Sequence, residues 1–273
     1  MKFLYIALVY CVKKFLPRYK YKLYTLIKNK DINLLTVIKY SQLKILLNLG
    51  DYIQYFIYMD GIYEDETVEF AYKNVDKKVF LDIGANIGNY TLSLCNTASY
   101  IYSFEASSEN IKYLKQNIKR NNISNVNIIY GAISDSNDKT VKLILSNDAL
   151  GNNSIFSNDA NCNYELVKTI TIDSFCEKNN VSDIGVIKLD IEGSEYNAIL
   201  GAMNIIKRDK PIIICEFNST AALSAGWKLE DLYNCIINLG YECFLYHNVL
   251  KKFDELNLKA DGFSENLIFI MRP

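Results

Sequence analysis

The chain has 273 residues, half of them hydrophobic and few of them Pro or Gly, so it can bury a sizeable core and is not a disordered segment. A net charge of −1 argues against a surface built as a whole for nucleic acid, and one His leaves almost nothing from which to make a zinc site. None of the seven cysteines forms a C-x-x-C pair, which reads as reduced, structural thiols in a cytoplasmic protein.

Residues 1 to about 60 read as helical, with apolar residues at mixed three and four spacing, as in Leu34, Ile38, Leu43, Leu46 and Leu47, until Gly50 and Asp51 break the pattern. The apolar run Phe3 to Val12 is well short of the roughly 20 residues that span a bilayer. It has only Lys2 before it and no small-residue cleavage site after it, unlike a signal peptide. Lys2, Lys13, Lys14, Arg18, Lys20, Lys22, Lys28 and Lys30 precede the first acid, Asp31. Two readings stay open: a helical cap packed on the main domain, or a peripheral segment lying on the anionic inner face of a membrane.

From Lys77 short apolar runs alternate with amphipathic stretches, the pattern of βα units on a parallel sheet. Residues 1–76 are therefore read as an α-helical extension and lead-in, and 77–273 as a doubly wound α/β domain. Strands are expected over Lys78–Ile83, Tyr100–Phe104, Val126–Tyr130, Gly185–Leu189 and Pro211–Cys215, with helices from about Gly88, over Ser108–Asn121, after Leu189 to about Ile206, and over Leu229–Leu239. Thr140–Leu145 and Leu166–Ile172 are strand-like and flank a polar stretch, Ser146 to Asn163, which suits a mobile lid or a plain solvated loop. The last two strands, Tyr241–Tyr246 and Asn266–Met271, have no helix between them. An antiparallel terminal hairpin on a parallel sheet is the Rossmann-like methyltransferase pattern rather than that of a dehydrogenase.

Three constellations carry the chemistry. In Val79-Phe-Leu-Asp-Ile-Gly-Ala-Asn-Ile-Gly-Asn89 a buried strand delivers Asp82 into a turn. Gly84 would let the backbone pass close to a ligand, Gly88 would let the helix approach the strand, and Ala85 and Asn86 complete the loop. An acid here would repel a pyrophosphate and attract the cationic sulfonium amino acid of S-adenosylmethionine. Glu105, directly after the second strand, is placed to accept both ribose hydroxyls, as an acid about 20 residues past the glycines does in dinucleotide folds. Ala132, past the third strand, joins the cofactor set. In Val186-Ile-Lys-Leu-Asp-Ile-Glu-Gly-Ser-Glu195 three acids crowd a strand end. Asp190 would face the transferring methyl and also contact the cofactor, whereas Glu192 and Glu195 fall in the first turn of a helix, where acids are favourable for stability alone. The fifth strand ends in Glu216, with Asn218 two residues on.

The run from Val79 to Phe217 resembles the FkbM methyltransferase domain: D-x-G-A-N-x-G at Asp82 to Gly88, F-E at Phe104-Glu105, K-x-D-x-E-G-x-E at Lys188 to Glu195, and an apolar strand ending in Glu216. Gly61-Ile-Tyr-Glu64 looks like the family's lead-in, and Ala106 stands where members commonly have Pro. The resemblance implies methyl transfer from S-adenosylmethionine, usually to oxygen, onto a carbohydrate, glycolipid or other small-molecule acceptor, with no nucleic acid expected. Asp190 or Glu216 would act as base and Lys188 would support the carboxylates. No resident metal is expected; a looser reading places Mg²⁺ on Asp190, Glu216 and Asn218. His247, after the sixth strand, is read as structural. The competing readings are a cofactor-binding module without catalysis that serves as a scaffold, another nucleotide enzyme such as a dehydrogenase, and a nucleic-acid or small-molecule methyltransferase. The absence of G-x-G-x-x-G and the presence of the whole acid set weigh against the first two.

Overall fold

The computed structural model describes residues 2–146, 153–156 and 163–272. Helices α1 (Lys2–Phe15) and α2 (Lys20–Ile27) are followed by a hairpin of β1 (Asn33–Val37) and β2 (Lys44–Asn48), then by α3 (Tyr52–Asp60) and α4 (Asp65–Asn74). The hairpin replaces the expected helix. Its apolar runs are short enough to serve either period, and Ile45 and Leu47 alternate inward on β2, with Leu49 just past it and β-branched Thr36 and Val37 opposite. Helix α3 begins where Asp51 accepts the Gln54 N–H and stops at Gly61.

The main sheet follows: β3 (Val79–Ile83), α5 (Asn89–Leu94), β4 (Tyr100–Glu105), α6 (Ser108–Arg120) and β5 (Val126–Tyr130). A small sheet of β6 (Ala132–Ile133), β7 (Thr140–Ile144) and β8 (Tyr164–Ile170) interrupts it, and α7 (Ile172–Lys178) leads back to β9 (Ile184–Leu189). The helix expected after β9 splits into α8 (Glu195–Leu200) and α9 (Met203–Asp209). Strand β10 (Ile212–Asn218) runs three residues past the expected end, and α10 (Ser219–Ala225) and α11 (Leu229–Ile237) connect it to β11 (Tyr241–Tyr246), β12 (Leu250–Lys252) and β13 (Ser264–Met271). The eight strands lie in the order β12-β11-β13-β10-β9-β3-β4-β5. The five from β10 to β5 are parallel, and β13 and β11 add antiparallel at the far side. This is a Rossmann-like methyltransferase sheet with its terminal antiparallel pair, as the sequence leads one to expect.

Alternation along the strands sorts the core. Phe80, Ile101, Val186, Ile214 and Ile268 face one side, where α1–α4 and the hairpin complete the packing with Tyr55, Ile57, Val68 and Ala71. Leu81, Phe104, Ile187, Ile213 and Phe269 face the other, under α7–α11. The first 76 residues are thus part of the same hydrophobic cluster as one face of the sheet. The six described cysteines are free thiols.

Asn117 ties the two parts together. On α6, fully buried, it accepts the Leu46 N–H of β2 at 2.7 Å and donates to the Ile87 carbonyl at 3.1 Å, in the loop after β3. Asn117→Ala would leave both groups buried without a partner, each worth roughly 1–3 kcal/mol. Urea unfolding should show stability lowered by about 2 kcal/mol or more at an unchanged m-value. A loss within experimental error would mean that the bridge does not fasten the extension to the sheet.

Candidate active site

The parallel strands end together, and their last residues surround a cavity of about 510 Å³, within the usual size for a small-molecule site. Ile83 and Gly84 after β3, Glu105 at the end of β4, Asp190 after β9, and Glu216 and Asn218 on β10 line it. The extension supplies the facing wall with Tyr24, Lys28, Tyr52, Tyr63 and Glu64.

The loop after β3 is shaped by its glycines. Gly84 has φ +81°, and a Cβ there would lie 1.8 Å from the Asp190 carbonyl oxygen, so the close approach that Gly84 permits is to the β9 loop. Gly84 and Ala85 both donate to the Phe104 carbonyl at 3.0 Å. Gly88, at φ +102°, caps α5, and the space a side chain would need is filled by Leu92 of α5 and Leu114 of α6, so the close approach is between helices and not, as expected, of the helix to the strand. Asn86, also left-handed, turns its N–H to Glu105 at 2.8 Å, and its Oδ1 is buried without a partner.

Glu105 accepts Asn86 N–H on one oxygen and Ser107 N–H, at 2.7 Å, on the other. Burial raises its carboxyl above the ordinary range, and these two bonds oppose that. The carboxylate is thus oriented at the wall by backbone, and lone pairs remain for a diol.

Asp82 does not reach the cavity wall. It is fully buried, accepts Thr91 Oγ1 at 2.5 Å, and leaves its other oxygen without a partner. Thr91 in turn shares a 2.7 Å bond with Ser103. Of the proposed cofactor residues, Gly84, Asn86, Glu105, Ala132 and Asp190 line the cavity, while Asp82, Ala85 and Gly88 stand behind it.

Asp82 opposes Lys188 across β3 and β9. The ammonium of Lys188 is buried, 3.0 Å from the Gly84 carbonyl, 3.1 Å from Asp190 and 5.2 Å from the centre of the Tyr90 ring. Burial alone would push its pKa down, but Asp190, Asp82 and Glu64 together hold it above the ordinary value.

Around Asp190 stand more acids than one lysine can neutralise. Glu64 accepts from Tyr90 Oη and Asn266 Nδ2, both at 2.9 Å, and burial and Asp190 raise its pKa. Burial, then Asp190, Glu192, Glu195 and Glu64, push Glu216 up to about 10, and its Oε2 has no partner. Glu192 is raised to about 8 by burial and Asp190. Glu195 has the structural role that helix-start acids often take: buried, it accepts the Ile191 and Gly193 N–H groups at 2.8 and 2.9 Å and closes the turn. Burial raises it to about 7. Trp227 fastens the same turn by donating to the Gly193 carbonyl at 2.9 Å.

Carboxylate oxygens of Asp190, Glu192 and Glu216 lie within 4.8 Å of one another. Asn218, the amide of the looser Mg²⁺ set, is instead engaged as the cap of α10, accepting from Thr220 and Ala221 N–H. His247 is outside the cavity and bonds Glu66 at 2.7 Å. The lid expected over Ser146 to Asn163 falls largely on residues 147–152 and 157–162, outside the described residues. Asn153 and Ile155 line the cavity, and Ser154 Oγ donates to the Glu192 carbonyl at 2.6 Å.

The sequence gives no signal for Tyr24 and Tyr52, because aromatics within apolar helical stretches read as core, and Tyr63 enters only as part of the Gly61–Glu64 lead-in. Glu64 enters only as its last residue.

The doubly wound sheet and the acid-rimmed cavity at its C-terminal edge define a nucleotide-cofactor enzyme fold of the methyltransferase kind. Residues 82–243 match the family model of the methyltransferase FkbM domain, and the chain belongs to that family. A curated relative, the hexuronic acid methyltransferase AglP of Haloferax volcanii, is 26% identical over 136 residues, covering 50% of this chain and 54% of that protein. The chain therefore spans about half the length of this curated relative. Among solved structures, a methyltransferase FkbM from Methylobacillus flagellatus KT is 20% identical, with a TM-score of 0.45 over 71% of this chain and 44% of its own. M. jannaschii TYW2 in complex with AdoMet is 14% identical, with a TM-score of 0.43 over 89% of each chain.

S-adenosylmethionine is the cofactor of this family, and the residues present fit it. Glu105 is fixed at the wall for a diol, the Asp190 cluster attracts a cation, and buried acceptors at Asn86 Oδ1 and Glu216 Oε2 are without protein partners. Glu105→Ala should weaken S-adenosylmethionine binding at least about tenfold, since hydrogen bonds to a charged group contribute roughly 1.5–3 kcal/mol. Calorimetry showing unchanged affinity would remove Glu105 from the cofactor site.

The raised acids also set a pH dependence. Glu195, Glu192 and Glu216 bind protons more tightly in the folded chain, at about 7, 8 and 10, than at their ordinary value of 4.5. From about pH 5 to pH 10 the folded state holds the extra protons, so stability falls as pH rises through this window. Melting temperature should decline across it, and Glu216→Gln should flatten the alkaline end. A melting temperature that rises through the window would contradict the crowding.

Proposed function

We propose that this chain is an S-adenosylmethionine-dependent O-methyltransferase acting on a hydroxyl of a sugar, glycan or glycolipid. The observation that carries the reading is Asp190, held 3.1 Å from buried Lys188 at the cavity wall among Glu64, Glu192 and Glu216. This is an acid-lined site suited to a sulfonium, with a base suited to a hydroxyl. The bound cofactor supplies an electrophilic methyl carbon, and the rest is the protein's work. Gly84, Asn86 and Glu105 position the cofactor, and the Asp190 end of the cavity favours its positive charge. Asp190 would take the acceptor's hydroxyl proton as the carbon–oxygen bond forms and the methyl–sulfur bond breaks, the sulfur leaving as a neutral thioether. Glu216, pushed up to about 10 by burial and its acidic neighbours, is neutral at pH 7 and donates a hydrogen bond that orients the acceptor. Lys188 fixes the Asp190 carboxylate and the Gly84 carbonyl together.

Two features support a sugar acceptor. The curated relative acts on a hexuronic acid. The wall facing the acids carries Tyr24, Tyr52 and Tyr63, whose rings offer apolar faces and hydroxyl tips of the kind that hold a pyranose. In this reading residues 77–273 form the methyltransferase domain, and the extension, 1–76, contributes the acceptor wall.

The test is turnover with a panel of sugar and glycolipid acceptors at saturating cofactor. Asp190→Asn should lower kcat by about 10² or more while keeping cofactor affinity within about tenfold, and Glu216→Gln should mainly raise KM for the acceptor. Full turnover in Asp190→Asn would refute the base assignment. Methyl transfer to carbon, nitrogen or a carboxylate in place of a hydroxyl, seen by NMR of the product, would refute the acceptor class.

A further inference from the structure

We propose that the outer face of α1 and α2 docks on an anionic lipid bilayer. Helix α1 is apolar on both sides. Its inner row, Val9 and Val12, is buried beside Leu23 and Ile27 of α2 and belongs to the core cluster. Its outer row is left in solvent: Phe3 is 88% exposed, Leu4 71%, Phe15 64% and Tyr10 54%. A helix apolar all round belongs between two apolar neighbours, and the protein supplies one. Tyr21, 60% exposed, and Leu26, 56% exposed, continue the face on α2. Elsewhere the exposed large apolar side chains are scattered, as at Tyr130, Leu200 and Leu223, which is ordinary for a protein surface.

Charge identifies the second neighbour. No acid precedes Asp31. Lys20 is neutralised by Asp60 at 2.6 Å, and Lys13 donates to the Tyr58 carbonyl. Lys14, Arg18 and Lys22 are exposed, and among the described residues none has an acidic partner. Cations set beside projecting Phe, Leu and Tyr side chains match a surface of anionic headgroups over an acyl boundary, into which such a face sinks about 5–10 Å. A protein partner would more often be met by charges of both signs. Spanning is a different matter: no helix among the described residues is long and apolar enough to cross a membrane. The 14 residues of α1 reach about 21 Å at 1.5 Å each, against a hydrocarbon core of about 30 Å.

Helix α2, which carries part of the lipid face, reaches the cavity from its buried side through Tyr24, with Lys28 at its end. The binding inference stands apart from the reaction proposed above, and its test uses no turnover.

The full chain is floated with vesicles of phosphatidylcholine alone and of phosphatidylcholine mixed with phosphatidylglycerol. Wild-type protein should float with the mixed vesicles, weakly or not at all with the neutral ones, and should dissociate at about 1 M salt, where the screening length is about 3 Å. Lys14→Gln with Arg18→Gln and Lys22→Gln should weaken binding roughly fivefold per cation, on the order of a hundredfold together. Phe3→Ser with Leu4→Ser should abolish flotation while leaving the melting temperature unchanged, since both side chains stand in solvent. Wild-type protein that stays unbound with anionic vesicles overturns the proposal. So does a concentration-dependent dimer that Phe3→Ser with Leu4→Ser breaks apart, since the face would then belong to a second copy.

Discussion

Lys188 is the penultimate residue of β9, and its ammonium is buried between the two loops that make the site. It holds the Gly84 carbonyl on one side and the Asp190 carboxylate on the other, with Asp82 directly across the sheet. A lone buried ammonium would be strongly destabilising. Here three carboxylates more than offset its burial, so the cation and the acids each make the other tolerable. The same contacts fix the spacing between the loop after β3 and the loop after β9, and that spacing is the floor of the cavity. Glycine at position 84 is part of this arrangement, because the Asp190 carbonyl occupies the space that a side chain would need.

Glu64, Glu192 and Glu216 crowd Asp190, and burial and mutual repulsion raise their pKa values. Glu192 and Glu216 therefore keep their protons at pH 7, and the cluster is short of positive charge only when they ionise. Crowding of this kind lowers stability and is retained where function uses it. A bound sulfonium would favour the charged forms of these acids in a partly water-excluded site, where each interaction is stronger than in bulk solvent. Binding and relief of strain would then be the same event. The electrostatics that make the site costly to fold would also favour a cationic cofactor over a pyrophosphate.

Much of this was legible in the residues. Asp82 to Gly88, Glu105, Lys188 to Glu195 and Glu216 mark four strand ends, and in a doubly wound sheet strand ends on one edge must converge. The reach of each side chain was less legible. Asp82 follows Phe80 by two and turns to the same side of the sheet, under Thr91, so it braces the loop instead of lining the cavity. The hairpin over residues 33–48 was hidden because short apolar runs fit a strand and a helix alike. Asn117 was one amide among many until α6 placed it between the Leu46 N–H and the Ile87 carbonyl. The tyrosines of the cavity wall depend on how the extension packs, which no local pattern encodes.

Calorimetric titration of the folded chain with S-adenosylmethionine and, separately, with NAD asks whether the acid-lined cavity selects a sulfonium. Saturable one-to-one binding of S-adenosylmethionine is expected, and none of NAD at comparable concentrations, because the acid-lined cavity favours a sulfonium and repels a pyrophosphate. Binding of NAD in preference to S-adenosylmethionine would contradict this.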